Sequence, residues 1–251
     1  MPVNRQVNVN TESVDNYLKA ILNLGGPEER RVSSTALASF LGVAPASVTN
    51  MLQKLASPPS SLVEYERHRG VLLSPTGKRR AIEIVRHHRL IETFLYEVLD
   101  YPIEEIHEEA ERLEHFISER LEERIAAKLG YPKFDPHGHF IPAMDGKIPR
   151  QRLQLLRDGS ERTTYVVDSI ADQDAAVLKA LRSQGIAPGV RLTLIARDLE
   201  GKLSLKLERS GRTFCLDAAF AGAISIRPEP EREERIKRRT PARSVHIAND
   251  N

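Results

Sequence analysis

Apolar positions recur at helical spacing early in the chain. In TESVDNYLKAILNLGG, Val14, Tyr17, Leu18 and Ile21 fall on one face and the run ends on Gly25 and Gly26, which predicts a helix stopped by glycine. The next stretch, VSSTALASFLGVAPASVTNMLQKLA, opens a helix on Ser/Thr with the small Ala38. It turns at Gly42 and continues in a second helix carrying Val48, Leu52 and Leu55. That pattern is helix, short turn, helix. SLVEYERHRGVLLSPTGKRRA then reads as two apolar strands around the polar turn Arg67, His68, Arg69, Gly70, with a helix starting near Pro75 or Thr76. A hairpin directly behind a helix-turn-helix is the order of a winged helix.

Residues 76–100 and 103–129 are expected to form two long helices. The first has a stripe of Ile84, Ile91, Leu95 and Val98; the second has Ile106, Ala110, Leu113, Ile117 and Leu121. Such stripes suit an antiparallel pair or a dimer seam. Between 130 and 150 glycine and proline crowd together, the mark of a linker or ordered loop. From about 152 to 227 the pattern becomes β, with TTYVV, RLTLIA, KLSLKLE and RTFCLD as strands and DAAVLKALRSQG as one helix, so a small barrel is expected. The fold class is therefore mainly α, with a winged helix-turn-helix over 1–75, a helical domain over 76–150 and a small β-barrel over 151–228. A tail over 229–251, almost without apolar residues, is expected to be mobile.

Composition changes this picture in three places. No stretch approaches the ~18 to 20 uninterrupted apolar residues of a membrane span, MPVNRQVNVN lacks the apolar core of a secretory signal, and a lone Cys215 forms no internal disulfide. Together these place the chain in the cytosol. Net charge is only +2, but residues 1–80 carry 10 Lys/Arg against 6 Asp/Glu while 104–124 carry 9 Glu against 3 Arg. The first region suits phosphate and the second suits cations.

Four of the 8 histidines lie between 87 and 115, interleaved with glutamate. At ~100° per residue, His107, Glu111, Glu114 and His115 share one sector beside the apolar stripe, and His88 and Glu92 lie one turn apart on the neighbouring helix. Six such groups brought together without compensation repel and desolvate one another, and a divalent cation relieves that cost. The plainer alternative is a solvated face, in which Glu108 and Arg112 form an ordinary i,i+4 pair. Hydrolytic readings fit less well. Glu111 stands where either zincin-type helix motif needs a histidine, and Glu104 with His107 is the chain's single Glu-x-x-His pair of the kind that a di-iron bundle needs twice. No nucleophile elbow or phosphate-binding glycine loop is present, so an enzyme is not expected.

The segments DNYLKAI, LGVAPASVTNMLQKL, ERHRGVLLSPTGK, HHRLIETFL, IHEEAERLEH and DPHGHFIP, in this order, resemble the diphtheria toxin repressor family of metal-dependent transcription regulators, nearest its manganese transport regulator branch. The resemblance runs from about 12 to 145, and the β region looks like the family's SH3-like third domain. It implies a homodimer on a palindromic double-stranded DNA operator, repressing metal-uptake genes, with metal sites between DNA-binding and dimerisation domains. An ancillary site would use His88, Glu92 and His107, completed by Asp172 or the adjoining Gln173. A primary site would use Glu111, Glu114 and His115 with Asn16. Glu111 stands where the iron-responsive branch tends to have cysteine, and a harder carboxylate favours Mn(II), with Fe(II) the alternative and other divalent metals acting in vitro. Asn16 stands where the family shows Met or Asp and brings no charge. In the recognition helix, Pro45, Ala46, Ser47, Thr49, Asn50 and Lys54 are the DNA-facing candidates. Arg67 and Arg69 of the wing, with Lys78 to Arg80 behind it, are expected on the phosphate backbone.

Overall fold

Val14, Tyr17, Leu18 and Ile21 are buried together along α1 (Thr11–Gly25) in the computed structural model, which describes residues 11–26, 28–59, 61–146 and 154–229. Their core is shared with α2 (Ser34–Leu41) through Leu37 and Ala38, and with α3 (Pro45–Ala56) through Val48, Leu52 and Leu55. Ser33 caps α2 by accepting from the Ala36 amide, and Gly42 ends it with φ +64°, the left-handed turn the helix-turn-helix needs. Leu18, Leu37 and Leu52 are fully buried, so truncating any of them to alanine costs about 2–5 kcal/mol.

The wing is the antiparallel hairpin of β1 (Val63–Glu66) and β2 (Gly70–Leu73). Its turn puts His68 and Gly70 at positive φ, and a Cβ on Gly70 would lie 2.5 Å from the Val32 carbonyl oxygen. The long α4 (Pro75–Leu99) starts at once, capped by Ser74, whose hydroxyl accepts from the Gly77 amide and donates to the Ser61 carbonyl. Gly77 lies so close to Leu62, the residue before β1, that a Cβ would stand 1.9 Å from its carbonyl oxygen. The head is seated directly on the first turn of α4.

The second long helix expected over 103–129 is instead two: α5 (Ile106–Leu113) and α6 (Glu119–Lys128). The chain turns at Glu114 to Phe116, and Ser118 accepts from the Leu121 amide to start the next helix. The turn matters for the site, because Glu114 and His115 lie in it rather than on a continuing helix face. Ile91, Leu95, Ile106 and Ala110 pack α5 on α4, while Leu90, Ile125, Ala126 and Ile141 pack α6 and the following loop. Parts of both expected stripes stay on the surface: Val98, Leu113 and Leu121 are exposed, together with Leu99 and Phe116, the last at 77%.

The glycine- and proline-rich segment is an ordered loop through 146, with 147–150 outside the described residues. The chain falls into two compact units. One contains the residues up to 146 and Ser169–Gly185; the other contains 154–168 and 186–229. Within the first, α7 (Ala175–Ser183) is capped by Asp174, which accepts from the Ala176 and Val177 amides, and buries Leu178 and Leu181. The second unit is built on a sheet of β3 (Gln154–Leu155), β4 (Thr163–Ile170), β5 (Arg191–Arg197), β6 (Leu203–Leu207), β7 (Thr213–Leu216) and β8 (Ile224–Pro228), with a short α8 (Ala218–Ala221) before the last strand. The spatial order is β3-β8-β4-β5-β6-β7. The four strands expected from the pattern are present, but the sheet is open rather than a closed barrel. Among the described residues its edges are β7 and β3. The tail expected to be mobile lies, from 230 on, outside the described residues.

Candidate metal centre and nucleic-acid interface

The middle of α4 presents His88 and Glu92 to the inside, and α5 presents His107 and Glu111 toward them. Glu92 is fully buried, and one of its oxygens, Oε1, collects three imidazoles: His88 Nε2 at 3.0 Å, His107 Nδ1 at 3.3 Å and His137 Nδ1 at 3.6 Å. Its other oxygen has no hydrogen-bond partner. Burial alone would push the Glu92 carboxyl up. The charge on His88 and hydrogen bonds from His107, His137 and His88 outweigh that and hold it well below the usual carboxylate range.

His137 comes from the loop. Its Nε2 lies 3.3 Å from the Ile103 carbonyl, while Nδ1 faces Glu92. The loop is shaped by Asp135, whose Oδ1 accepts from the amides of His137 and His139 at 2.9 Å. The Ile170 amide donates to the His137 carbonyl at 2.9 Å, which brings the following residues against the loop. Asp172 Oδ2 consequently lies 3.4 Å from His139 Nδ1 and 3.9 Å from His107 Nδ1. Burial lowers the His139 ring, but Asp135 and Asp172 raise it to about 10. Burial raises Asp172, and His139 more than reverses it.

Donor atoms of His88, Glu92, His107 and Asp172 all lie within 4.8 Å of one another, and so do those of Glu92, Asp135 and His137. The four residues expected at the ancillary site are thus brought together, and the loop adds Asp135, His137 and His139. Sequence periodicity did not reach these three, since they lie on no helix; the D-x-H-x-H spacing of DPHGHF was the available signal.

A second cluster lies on the other side of His88. His88 Nδ1 is 2.5 Å from Glu114 Oε2, and donor atoms of His88, Glu111 and Glu114 lie within 4.8 Å of one another. Burial pushes the His88 ring down, but the Glu92 charge and hydrogen bonds to Glu114 and Glu92 raise it to about 10. Burial would raise Glu114, yet His88 and Lys19 hold it below its ordinary value. Lys19 of α1 reaches in, with Nζ 2.5 Å from Glu111 Oε1 and 2.7 Å from Glu114 Oε1.

The expected primary set is brought together less completely. His115 does not share the helical sector of Glu111, because the chain has already turned; its buried ring lies 3.5 Å from Glu114 Oε1 and 3.4 Å from Asp15 Oδ2. Neither ring nitrogen has a geometrically formed hydrogen bond. Asn16, one turn before Ala20, lines the same cavity of about 320 Å³ as Glu111, His88, Asp172 and Gln173, and its buried Oδ1 has no partner. Unpartnered, buried oxygen and imidazole nitrogen atoms around a shared space are the donor set of a divalent cation site, and they fit one chemically.

In the head, Pro45, Ala46, Ser47, Asn50 and Lys54 are exposed along α3. Thr49 is half-buried and its hydroxyl donates to the Pro45 carbonyl at 3.2 Å. Arg67 and Arg69 are exposed in the wing turn, Arg69 pairing with Glu66 at 3.2 Å. Behind the wing, Lys78 pairs with Glu29, and Arg80 pairs at 2.6 Å with the buried Asp15. Arg80 therefore holds α1 to α4 rather than standing free for phosphate.

A winged helix-turn-helix joined to a helical domain with buried imidazole-carboxylate clusters defines a metal-responsive DNA-binding regulator. The chain belongs to the diphtheria toxin repressor family of metal-dependent transcriptional repressors. Residues 10–71 match the iron dependent repressor N-terminal DNA binding domain, and 74–143 match the metal binding and dimerisation domain of the same repressors. Residues 154–228 match the FeoA domain. The chain is 36% identical over 126 residues to the HTH-type transcriptional regulator MntR of Oceanobacillus iheyensis, covering 50% of this chain and 82% of that one. It is 27% identical over 197 residues to the iron-dependent repressor IdeR of Mycobacterium leprae, covering 73% and 84%. Among solved structures, a manganese-dependent transcriptional repressor in complex with manganese superposes with a TM-score of 0.80 at 37% identity, over 86% of this chain and all of that one. The chain is not an enzyme; it is a regulator that binds DNA, binds metal and dimerises.

Proposed function

We propose that this protein is a Mn(II)-activated repressor of metal-uptake genes, acting in the cytosol as a dimer on palindromic operators. The observation that carries the choice of metal is the donor set. Asn16, His88, Glu92, His107, Glu111, Glu114, His115, Asp135, His137 and Asp172 offer oxygen and imidazole nitrogen, with no thiolate among them. Such ligands favour Mn(II), and Fe(II) of similar size and hardness is the second reading, supported by the likeness to iron-dependent repressors. A bound cation would supply positive charge at the place where these lone pairs converge.

The chain's own residues do the rest. Glu111 and Glu114 belong to α5 and its closing turn, and Asn16 belongs to α1. Joining them fixes α1, and through its buried face the winged helix, on the dimerisation helices. A ligand that binds one placement better shifts the population toward it by its differential affinity. Two heads held at a set separation lose less freedom when both enter successive major grooves. Exposed Val98, Leu99, Leu113, Phe116 and Leu121 offer the apolar surface for the second copy. Pro45, Ala46, Ser47, Thr49, Asn50 and Lys54 would then read the groove, and Arg67 and Arg69 the adjoining backbone.

Fluorescence anisotropy of promoter fragments tests this directly, with chelator first and then Mn(II), Fe(II), Zn(II) and Co(II) singly. Mn(II) and Fe(II) are expected to raise affinity most. Equal binding in chelator would refute the switch while leaving the DNA-binding role in place.

A further inference from the structure

Lys19 is not among the residues that the sequence marked as ligands, yet its ammonium sits inside the Glu111/Glu114 cluster. Its Nζ contacts one oxygen of each carboxylate at 2.5 and 2.7 Å, with the side chain only 12% exposed and Glu114 fully buried. Those carboxylates, with His88, are the group whose donor atoms lie within 4.8 Å of one another. The second oxygen of Glu114 is already held by His88 Nδ1 at 2.5 Å. The position a divalent ion would take between Glu111 and Glu114 is therefore held by a positive group of the chain itself.

We propose that Lys19 is a resident cation that an incoming divalent metal displaces from Glu111 and Glu114, and that it thereby sets the metal concentration at which this cluster fills; this rests on the metal-site reading above. An ammonium has three donors and no lone pair, so it cannot join the ligands and instead competes for the same oxygens. It has somewhere to go. Lys19 lines the open cavity of about 320 Å³ that also holds Asn16, Asn23 and Asp172, and its four-carbon stem lets the charge swing into that space while remaining ionised. In the metal-free protein the same contact offsets the repulsion between the two carboxylates, and it ties α1 to α5.

The apparent affinity of a ligand falls by the fraction of molecules ready to receive it, so if the Lys19-paired form makes up about nine-tenths of the metal-free population, its removal tightens binding about tenfold. The test is Mn(II) binding to the full-length dimer, followed by the electron paramagnetic resonance signal of free Mn(II), in wild type, K19Q, K19R and E114Q. K19Q is expected to bind about tenfold more tightly at one site per chain and to melt at a lower temperature without metal. K19R, which keeps the charge, shows no such gain. A folded K19Q dimer whose Mn(II) affinity is unchanged or weaker overturns the proposal and leaves Lys19 as a structural tie. Should K19Q not fold, K19M is titrated in its place under the same criterion. Wild type that binds no Mn(II), or binds it as well after E114Q, instead overturns the site reading on which the proposal stands.

Discussion

The two clusters that meet at His88 use the same kinds of side chain and neutralise them differently. Around Glu111 and Glu114 the compensating charge is largely a lysine delivered from the DNA-binding head. Around Glu92 and Asp172 it comes chiefly from the imidazoles of His88 and His139. A metal entering the first cluster would move a side chain of α1, whereas one entering the second would compete with the proton on the His88 ring. Coupling to the head thus belongs to the first, whereas pH acts on both through the shared His88 and on the second also through His139.

The largest test of this contrast is Glu114→Gln. Glu114 serves Lys19 with one oxygen and His88 with the other, so its loss is expected to abolish metal-stimulated operator binding, with metal affinity falling by about a hundredfold. Dimerisation, measured by light scattering, is expected to persist. If the metal response survives, the head is not coupled through this residue.

Next comes Asp172→Asn or His137→Ala, which touch the second cluster alone. Each is expected to weaken calorimetric metal binding at one site by about ten- to a hundredfold and to leave the Lys19-side site unchanged. Equal losses at both sites would mean that the clusters act as one.

The pH dependence is smaller. Without metal, His88 and His139 are raised from 6.5 to about 10, so their contribution to stability is fully present below 6.5 and is lost as pH rises through about 10. Unfolding temperatures of chelated protein are expected to fall across that interval. Mn(II) requires the unprotonated nitrogens, so its affinity rises over the same interval and binding releases protons, measurable in buffers of different ionisation enthalpy. A flat profile would remove imidazole protonation from the comparison.

The smallest expected effect is Asn16→Asp. An added carboxylate beside Glu111 is expected to tighten metal binding a few-fold if that side chain coordinates. No change would remove Asn16 from the ligands.

The winged helix was legible because Val48, Leu52 and Leu55 repeat on a short helix and Gly42 and Gly70 sit where the backbone needs them. The break between α5 and α6 was not. No glycine or proline interrupts Glu114 to Ser118, and the apolar stripe runs straight through it. Of the site, the helical ligands announced themselves by spacing. Asp135, His137 and His139 did not, because a loop held by the Asp135 carboxylate has no periodicity to read. Lys19 looked like any lysine on a helix surface; only tertiary packing shows which carboxylates it meets.

Helix α4 runs unbroken for 25 residues, about 37 Å at 1.5 Å per residue. Its first turn packs through Gly77 on Leu62 at the base of the wing, and the turns carrying His88 and Glu92 lie farther along the same rod. Wing and inner ligands are thereby rigidly geared to one another. Any play in the reading head has to be absorbed on the α1 flank, and a clasp placed there can stiffen the whole assembly with the smallest displacement.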